Sequence, residues 1–536
     1  MTRSSSLNPT QRRQDLERMK KDTFDVVVVG GGVTGCGAAL DAASRGLSVA
    51  LVEQRDFASG TSSRSSKLFH GGLRYLEQLN FGLVREALAE RNLMFNVLCP
   101  HLVEPVSFLY PLKHRFWERI YVGAGVLLYD FLGSIARNPL PRHRHLTKSS
   151  ALELAPGLDP DSIVGAIQYW DGLVDDARHT VALARTAASS GAALATSTRV
   201  VGMLMEEGRV AGVRARDLEA GEDIEIRGSS VISATGVWTD DIQSLAGDEG
   251  IDVVASKGIH LVVPRSALRS ETGLILRTDK SVLFVIPWGE LWIIGTTDTP
   301  WELRRAHPAA SRSDIQYLLD WASTVLREEL RLEDVVGVYA GLRPLLTGES
   351  DETSRLSREH AVLESSSGLI SVAGGKYTTY RIMARDAVDA AVRRLGSDIP
   401  TSRTAEIPLA GSEREAELER LIHNDADLSR RVGTSRFTWA EIVFAVTDEG
   451  ALHLDDILTR RTRISIETPD RGTEVARPVA EKVAPVLGWS DEDIAREVEH
   501  YVARVEAERD SQTRPDDRTA DAARMGAPDV RLGGID

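Results

Sequence analysis

Apolar positions along the chain fall into two regimes. Up to about residue 400 they come as short runs punctuated by glycine-rich turns, and beyond it they recur at helical spacing among many charges. Asp25–Val29 (DVVVV) is a continuous β-branched run, the pattern of a parallel strand buried on both faces. It leads into Gly30-Gly31-Gly32 and a helix of small residues from Thr34 to about Arg45, with Gly46 at the expected C-cap. Ser48–Val52 (SVALV) is the next strand and ends at Glu53, so this stretch reads as a βαβ unit. Leu194–Val213 predicts strands joined at Glu207-Gly208, and Val231–Ser233 a buried strand. Leu283–Ile286 and Leu291–Ile294 predict a hairpin around Gly289. Leu369–Val372 is a further buried strand, followed by Gly374-Gly375 and a helix from about Thr379. In the C-terminal regime Ser490 is placed to cap a helix carrying Ile494, Val498, Tyr501 and Val505 on one face. Residues 1–22 are polar and read as a flexible arm, and residues 509–536 as a disordered tail.

A chain of 536 residues exceeds one compact core and predicts two or three domains. A net charge of −15 repels nucleic acid and leaves an anionic substrate to be captured by locally clustered cations. Two cysteines, Cys36 and Cys99, argue for a reducing compartment and lack metal-site spacing, and nothing else reads as a metal site. The polar N-terminus lacks the apolar core of a signal peptide. The longest apolar stretch, Ile120–Gly133 (IYVGAGVLLYDFLG), is too short to span a membrane and lies between basic flanks. It reads either as a buried hairpin or helix with charged ends in solvent, or as a segment resting on an anionic membrane surface.

The chemistry begins at Gly30-x-Gly32-x-x-Gly35, which follows a strand and opens a helix. Gly30 allows the tight turn, Gly32 lets backbone approach a pyrophosphate at the helix N-terminus, and Gly35 permits close helix–strand packing. Glu53, at the end of the second strand, can bind ribose hydroxyls and disfavours a 2′-phosphate. VISATG (231–236), with Thr235 and Gly236, and LISVAGGK (369–376), with Gly375 and Lys376, offer two more strand ends suited to a long dinucleotide. One glycine fingerprint and three separated contact points favour FAD over NAD. The expected fold is therefore α/β (α+β overall): a Rossmann-like FAD-binding domain over 23–100, 180–255 and 355–398, a mixed-sheet substrate-binding cap over 101–179 and 256–354, and a helical domain over 399–508.

Several longer motifs are family-specific. ASGTSSRSSKLFHGGLRYL (58–76), YWDGLVDDAR (169–178), KGIHLVV (257–263), IGTTDTP (294–300), AGLRPL (340–345), SREH (357–360), AGGKYTTYR (373–381) and LDDILTRRTRI (454–464) resemble segments of the FAD-dependent glycerol-3-phosphate dehydrogenases. The resemblance runs over about residues 23–508. The shorter oxidases of glycine, sarcosine and D-amino acids share only the general fold. The resemblance implies oxidation of sn-glycerol 3-phosphate to dihydroxyacetone phosphate, with hydride passing to flavin N5 and electrons to a membrane quinone. It also implies peripheral contact with the cytoplasmic face of the cell membrane. The alternatives are a soluble glycerol-3-phosphate oxidase that uses oxygen on the same scaffold, or a flavoenzyme like the D-amino-acid and glycine oxidases, and a flavin-bound regulatory or RNA-associated protein without turnover is a further reading. A homodimer is compatible with the sequence.

That reaction asks for a base at the C2 hydroxyl, and His70 is the first candidate, with His260 its rival. It asks for cations on the phosphate: Arg74, Arg343 and Arg381, with Tyr75 as a hydroxyl donor and Arg358 a weaker candidate. It also asks for positive charge near the reduced flavin, which Lys376 supplies unless it contacts substrate. Thr61, Ser62, Ser65, Ser66, Gly72 and Val200 complete the expected cofactor lining. Asp175, Asp176 and Arg178 recur in the motif and are expected to lock the substrate domain to the flavin domain.

Overall fold

Thr23–Val29 forms the expected strand, with Phe24 and Val26–Val29 buried, because a β-branched run fits a sheet covered on both faces. The computed structural model describes residues 4–72, 80–114, 117–135, 139–248, 250–278, 282–347, 359–396, 398–527 and 529–531. In the first sheet Thr23–Val29 pairs in parallel with Glu222–Ser233 on one side and Val49–Val52 on the other. Ile370–Gly374 and Ala193–Ala195 extend the sheet in parallel, with His360–Glu364 as an antiparallel edge. Strand order reverses beside Thr23–Val29, and in such sheets ligands bind at the carboxyl ends of the strands next to that reversal. Helices Pro9–Lys21 (α1) and Val33–Ser44 (α2) flank the sheet. The small residues of α2 let it pack between helices Asp176–Ser189 (α3) and Tyr380–Leu395 (α4).

The second sheet is mixed. Its longest strand, Val253–Pro264, pairs antiparallel with Gly337–Leu346 and with Leu291–Gly295. The hairpin predicted around Gly289 is present as Val282–Trp288 and Leu291–Gly295. The sheet continues through Gly273–Arg277, Val103–Leu112 and Gly165–Val174. It ends on Leu68–Phe69, which lies within the 23–100 stretch expected in the flavin domain yet pairs with Gly172 and Leu173 of this sheet. A third group of helices has its own core, including Ile442, Ile457, Val479, Tyr501 and Val505. Ser490 caps its longest helix, Asp491–Ser511 (α5), through a reciprocal bond with Asp493.

Both termini correct the expectation of loose ends. Asn8 caps α1, which buries Leu16, Met19 and the carboxylate of Asp15; that carboxylate accepts hydrogen bonds from the backbone of Leu194 and from Gln11. At the other end Asp516 caps Asp517–Arg524 (α6), and the buried Arg531 pairs with Asp456 at 2.9 Å. Hydrophobic patterning missed both because their anchors are mostly polar groups satisfied by distant partners.

The apolar stretch at 120–133 lies within the helix Trp117–Ile135. Val126 and Tyr129 are buried against the second sheet, but Ile120, Tyr121, Leu127 and Phe131 lie exposed at 72%, 52%, 61% and 62%. The helix is therefore not the buried element of the first reading. Among the described residues no helix is long and apolar enough to cross a membrane.

Candidate active site

A cavity of about 470 Å³ opens at the carboxyl ends of the first sheet's strands. Gly30, Gly32, Glu53, Thr61, Ser62, Ser65, Val200, Thr235, Gly236, Gly375 and Lys376 all line it, drawn together from positions scattered along the chain. Gly30 has φ +112°, and a Cβ there would lie 2.6 Å from the Ala234 carbonyl oxygen. Gly35 is outside the lining and acts behind it: its Cβ would lie 1.9 Å from the Gly30 oxygen, so only glycine lets α2 approach the turn. The first turn of α2 carries no acidic residue and no side-chain cap at Gly32, leaving positive potential to face the cavity. Ser62 Oγ accepts from the Val33 N–H at 2.9 Å and fixes the serine loop over that turn. These features fit the pyrophosphate of a bound dinucleotide such as FAD. Glu53 accepts from the Gly31 and Arg55 N–H groups, and burial raises its pKa. Arg199, Trp238, Asp241, Pro344 and Met383 also line the cavity and were missed, because no local motif marks them.

The candidate catalytic groups approach from three directions. The backbone of His70 exchanges hydrogen bonds with the Thr378 hydroxyl, which ties its loop to the turn after Lys376. The adjacent Gly71 N–H donates to Tyr129, whose hydroxyl donates to Asp171; Arg91 pairs with the same carboxylate at 2.7 Å. Arg343, on Gly337–Leu346, donates to the Thr297 carbonyl oxygen and the Thr296 hydroxyl, so the IGTTDTP motif orients it. His260 lies two positions beyond Gly258, which packs against the Arg343 guanidinium. Its ring stacks on Tyr339 at 4.7 Å, and Nε2 meets Ser66 Oγ at 2.9 Å. Burial, reinforced by Arg343 and Lys67, pushes the His260 pKa well down, so the ring is neutral at physiological pH. Ser66 thus faces His260 and is not among the residues lining the 470 Å³ cavity. Gly72 is also outside the lining and supplies a left-handed turn at φ +74°. Arg74, Tyr75 and Arg358 lie outside the described residues.

Two sequence expectations change. Arg381 does not face the site: its guanidinium forms a two-pronged bond with Glu90 of the helix Phe81–Leu93, and both groups are nearly buried. It clamps α4 to that helix. Asp175, Asp176 and Arg178 lock the flavin domain chiefly to the C-terminal helices, not to the substrate domain. Arg463 bridges Asp175 and Asp176, and Arg178 pairs with Glu449. Lys67, missed in the sequence, completes this lock: it is fully buried, 2.7 Å from Asp176, with the rings of Trp288 and Tyr339 nearby.

This arrangement defines the class of protein. Residues 25–381 match the family described as FAD dependent oxidoreductase, and residues 412–494 match the C-terminal domain of alpha-glycerophosphate oxidase. Glycerol-3-phosphate dehydrogenase 2 of Mycobacterium tuberculosis is 53% identical, over 98% of this chain and 96% of the relative. The mitochondrial glycerol-3-phosphate dehydrogenase of Rattus norvegicus is 35% identical over 90% of this chain and 73% of its own. The glycerol-3-phosphate dehydrogenase of Bacillus halodurans, solved with FAD, superposes with a TM-score of 0.74 at 27% identity, covering 94% of this chain and 98% of that one. The FAD-bound glycerophosphate oxidase of Mycoplasma pneumoniae shares the fold, at 19% identity and a TM-score of 0.56 over 73% of this chain and all of its own. The chain belongs to the family of FAD-dependent glycerol-3-phosphate dehydrogenases.

Proposed function

We propose that this protein oxidises sn-glycerol 3-phosphate to dihydroxyacetone phosphate. Bound FAD supplies the two-electron acceptor. The observation that carries the reading is the edge of the cofactor cavity. There Lys376 and Pro344 line the wall, Arg343 adjoins Pro344, and the Thr378 contact holds the His70 loop beside Lys376. His70 takes the proton of the C2 hydroxyl. Its loop is bonded on both sides, to Thr378 and to Tyr129, which supports a fixed geometry for that transfer. Arg343, oriented by Thr296 and Thr297, binds the phosphate, and Arg74 and Tyr75 assist it from the HGGLRY segment. Lys376 sits before the uncapped start of α4 and stabilises negative charge on the reduced cofactor.

Electrons leave to a membrane quinone at the inner face of the cell membrane. Support comes from the exposed apolar face of Trp117–Ile135, flanked by exposed Lys113, Arg142, Arg144 and Lys148. Of the two acids on that helix, Glu118 caps its first turn by accepting from the Lys113 and His114 N–H groups, and Asp130 accepts from His143 through both its backbone and Nδ1, which lowers the cost of laying the helix on a bilayer. Leu127→Glu together with Phe131→Glu should release the protein from anionic vesicles while preserving flavin reduction. Retained vesicle binding refutes the membrane face.

Anaerobic mixing of the yellow protein with sn-glycerol 3-phosphate should bleach the visible flavin band. His70→Asn should slow that step about 10²–10⁴-fold with FAD still bound. Unchanged reduction removes His70 as the base. Absence of bleaching in the unmodified protein removes the substrate assignment. Reoxidation faster with oxygen than with quinone favours the oxidase reading.

A further inference from the structure

Behind the serine loop, α5 and α6 meet the flavin domain around two small adjoining cavities of about 40 and 60 Å³. Both are lined by Arg64, Arg504 and Arg524. The local carboxylates are all engaged, Glu497 by His453 at 2.9 Å and the others by more than one arginine. Glu508 serves Arg524 at 3.0 Å, Arg504 at 3.5 Å and Arg471 at 3.8 Å. Asp455 serves Arg504 and Arg460, and Asp529 serves Arg55 and Arg531. None is within salt-bridge distance of Arg64, whose side chain makes no ion pair or hydrogen bond among the described residues. Arg55 and Arg524, at 5% and 8% exposure, each keep a buried Nε without a hydrogen-bond partner, as does Nδ1 of His307 beside them. Among the described residues the buried cations thus exceed their carboxylates and keep donors left over, an arrangement that is costly unless an anion joins them.

The size of the space restricts the anion. A water needs roughly 10–15 Å³ of such volume, so these cavities accept a few waters or one tetrahedral oxyanion, not an organic phosphate with its carbon skeleton. Guanidinium forks match the edges of such an oxyanion. We propose that this cavity is a binding site for inorganic phosphate, held between Arg64 of the cofactor loop and Arg504 and Arg524 of the C-terminal helices. The bound anion would join the loop that carries Thr61 and Ser62 to α5 and α6, strengthening the junction between domains. The crowding of cations also explains why burial, with Arg504, Arg55 and Arg524, pushes the Arg64 pKa well down.

The site makes no use of turnover, so its test is independent of the catalytic assignment. FAD-bound, oxidised protein is melted in chloride buffer with and without inorganic phosphate, and phosphate binding is titrated by calorimetry. Arg64→Gln breaks no internal pair and relieves repulsion, so it should melt above the unmodified protein when phosphate is absent. Phosphate at ~100-fold over its Kd should raise the unmodified protein by roughly 2–4 °C and Arg64→Gln by much less. Arg524→Gln should lose the same increment. An Arg343→Gln background should retain it, which separates this site from phosphate held beside the cofactor. Phosphoethanolamine should not substitute. Arg64→Gln melting lower without phosphate, equal phosphate increments in all variants, or a response to the ester but not to phosphate would each overturn the proposal.

Discussion

Asp176 offers the sharpest test of how the domains are joined. Its carboxylate receives Lys67 at 2.7 Å, Arg463 at 2.6 Å, both the N–H and hydroxyl of Ser65, and the N–H of Ala177. Asp176 and Lys67 have no exposed side-chain surface, and Arg463 has 3%. Asp176→Asn preserves shape but removes the charge, leaving two buried cations with only Asp175 nearby. Breaking a buried pair by removing one partner costs about 3–5 kcal/mol. Losing an acid from the first turn of α3 adds ~0.3–1 kcal/mol. Lys67→Met should be milder, under about 2 kcal/mol, because Asp176 keeps Arg463 and Ser65 while a desolvated ammonium is removed. At roughly 1 °C per kcal/mol for a chain this long, Asp176→Asn should lower the melting temperature by about 3–6 °C and Lys67→Met by under ~2 °C. Limited proteolysis of Asp176→Asn should release the C-terminal helices first, since Arg463 belongs to them. If Asp176→Asn melts with the unmodified protein, or Lys67→Met falls as far, the carboxylate is not the centre of the lock.

Gly35→Ala should yield protein with little bound FAD, because the added Cβ displaces the Gly30 turn; a full flavin-to-protein absorbance ratio would contradict this. Arg381→Met should destabilise by about 3–5 kcal/mol by leaving Glu90 buried and unpaired, with the KM for sn-glycerol 3-phosphate little changed. A stable variant with a large rise in KM would restore Arg381 to the substrate site. Burial and Arg531 disfavour charge on His453, but Glu219 at 2.8 Å and Glu497 at 2.9 Å outweigh them and carry its pKa up to about 10. Because the folded value lies above the unfolded value of about 6.5, this stabilisation is complete below that pH and lost as the pH rises towards 10. His453→Gln should flatten the fall in melting temperature over that window, and parallel pH profiles would remove the histidine from the account.

The βαβ unit at 23–53, the glycine turn, the hairpin at Gly289 and the capped helix at Ser490 can all be read from local pattern alone. Each is written in local periodicity or in a turn residue's conformational preference, which act over a few neighbours. The lining of the large cavity is legible at Gly30, Gly32, Glu53, Thr235 and Gly375 for the same reason: strand ends and glycines announce close backbone approach. Which charges meet is set by the folded chain and by no motif. Arg381 and Arg343 look alike in their motifs, yet one faces Glu90 and the other Thr296 and Thr297 in the turn after Leu291–Gly295. The docked termini, the Asp176 lock and the arginine-lined cavity all depend on pairs far apart in the chain. An ion pair leaves no periodic trace, because its energy resides in the burial and geometry of both partners and not in either residue alone.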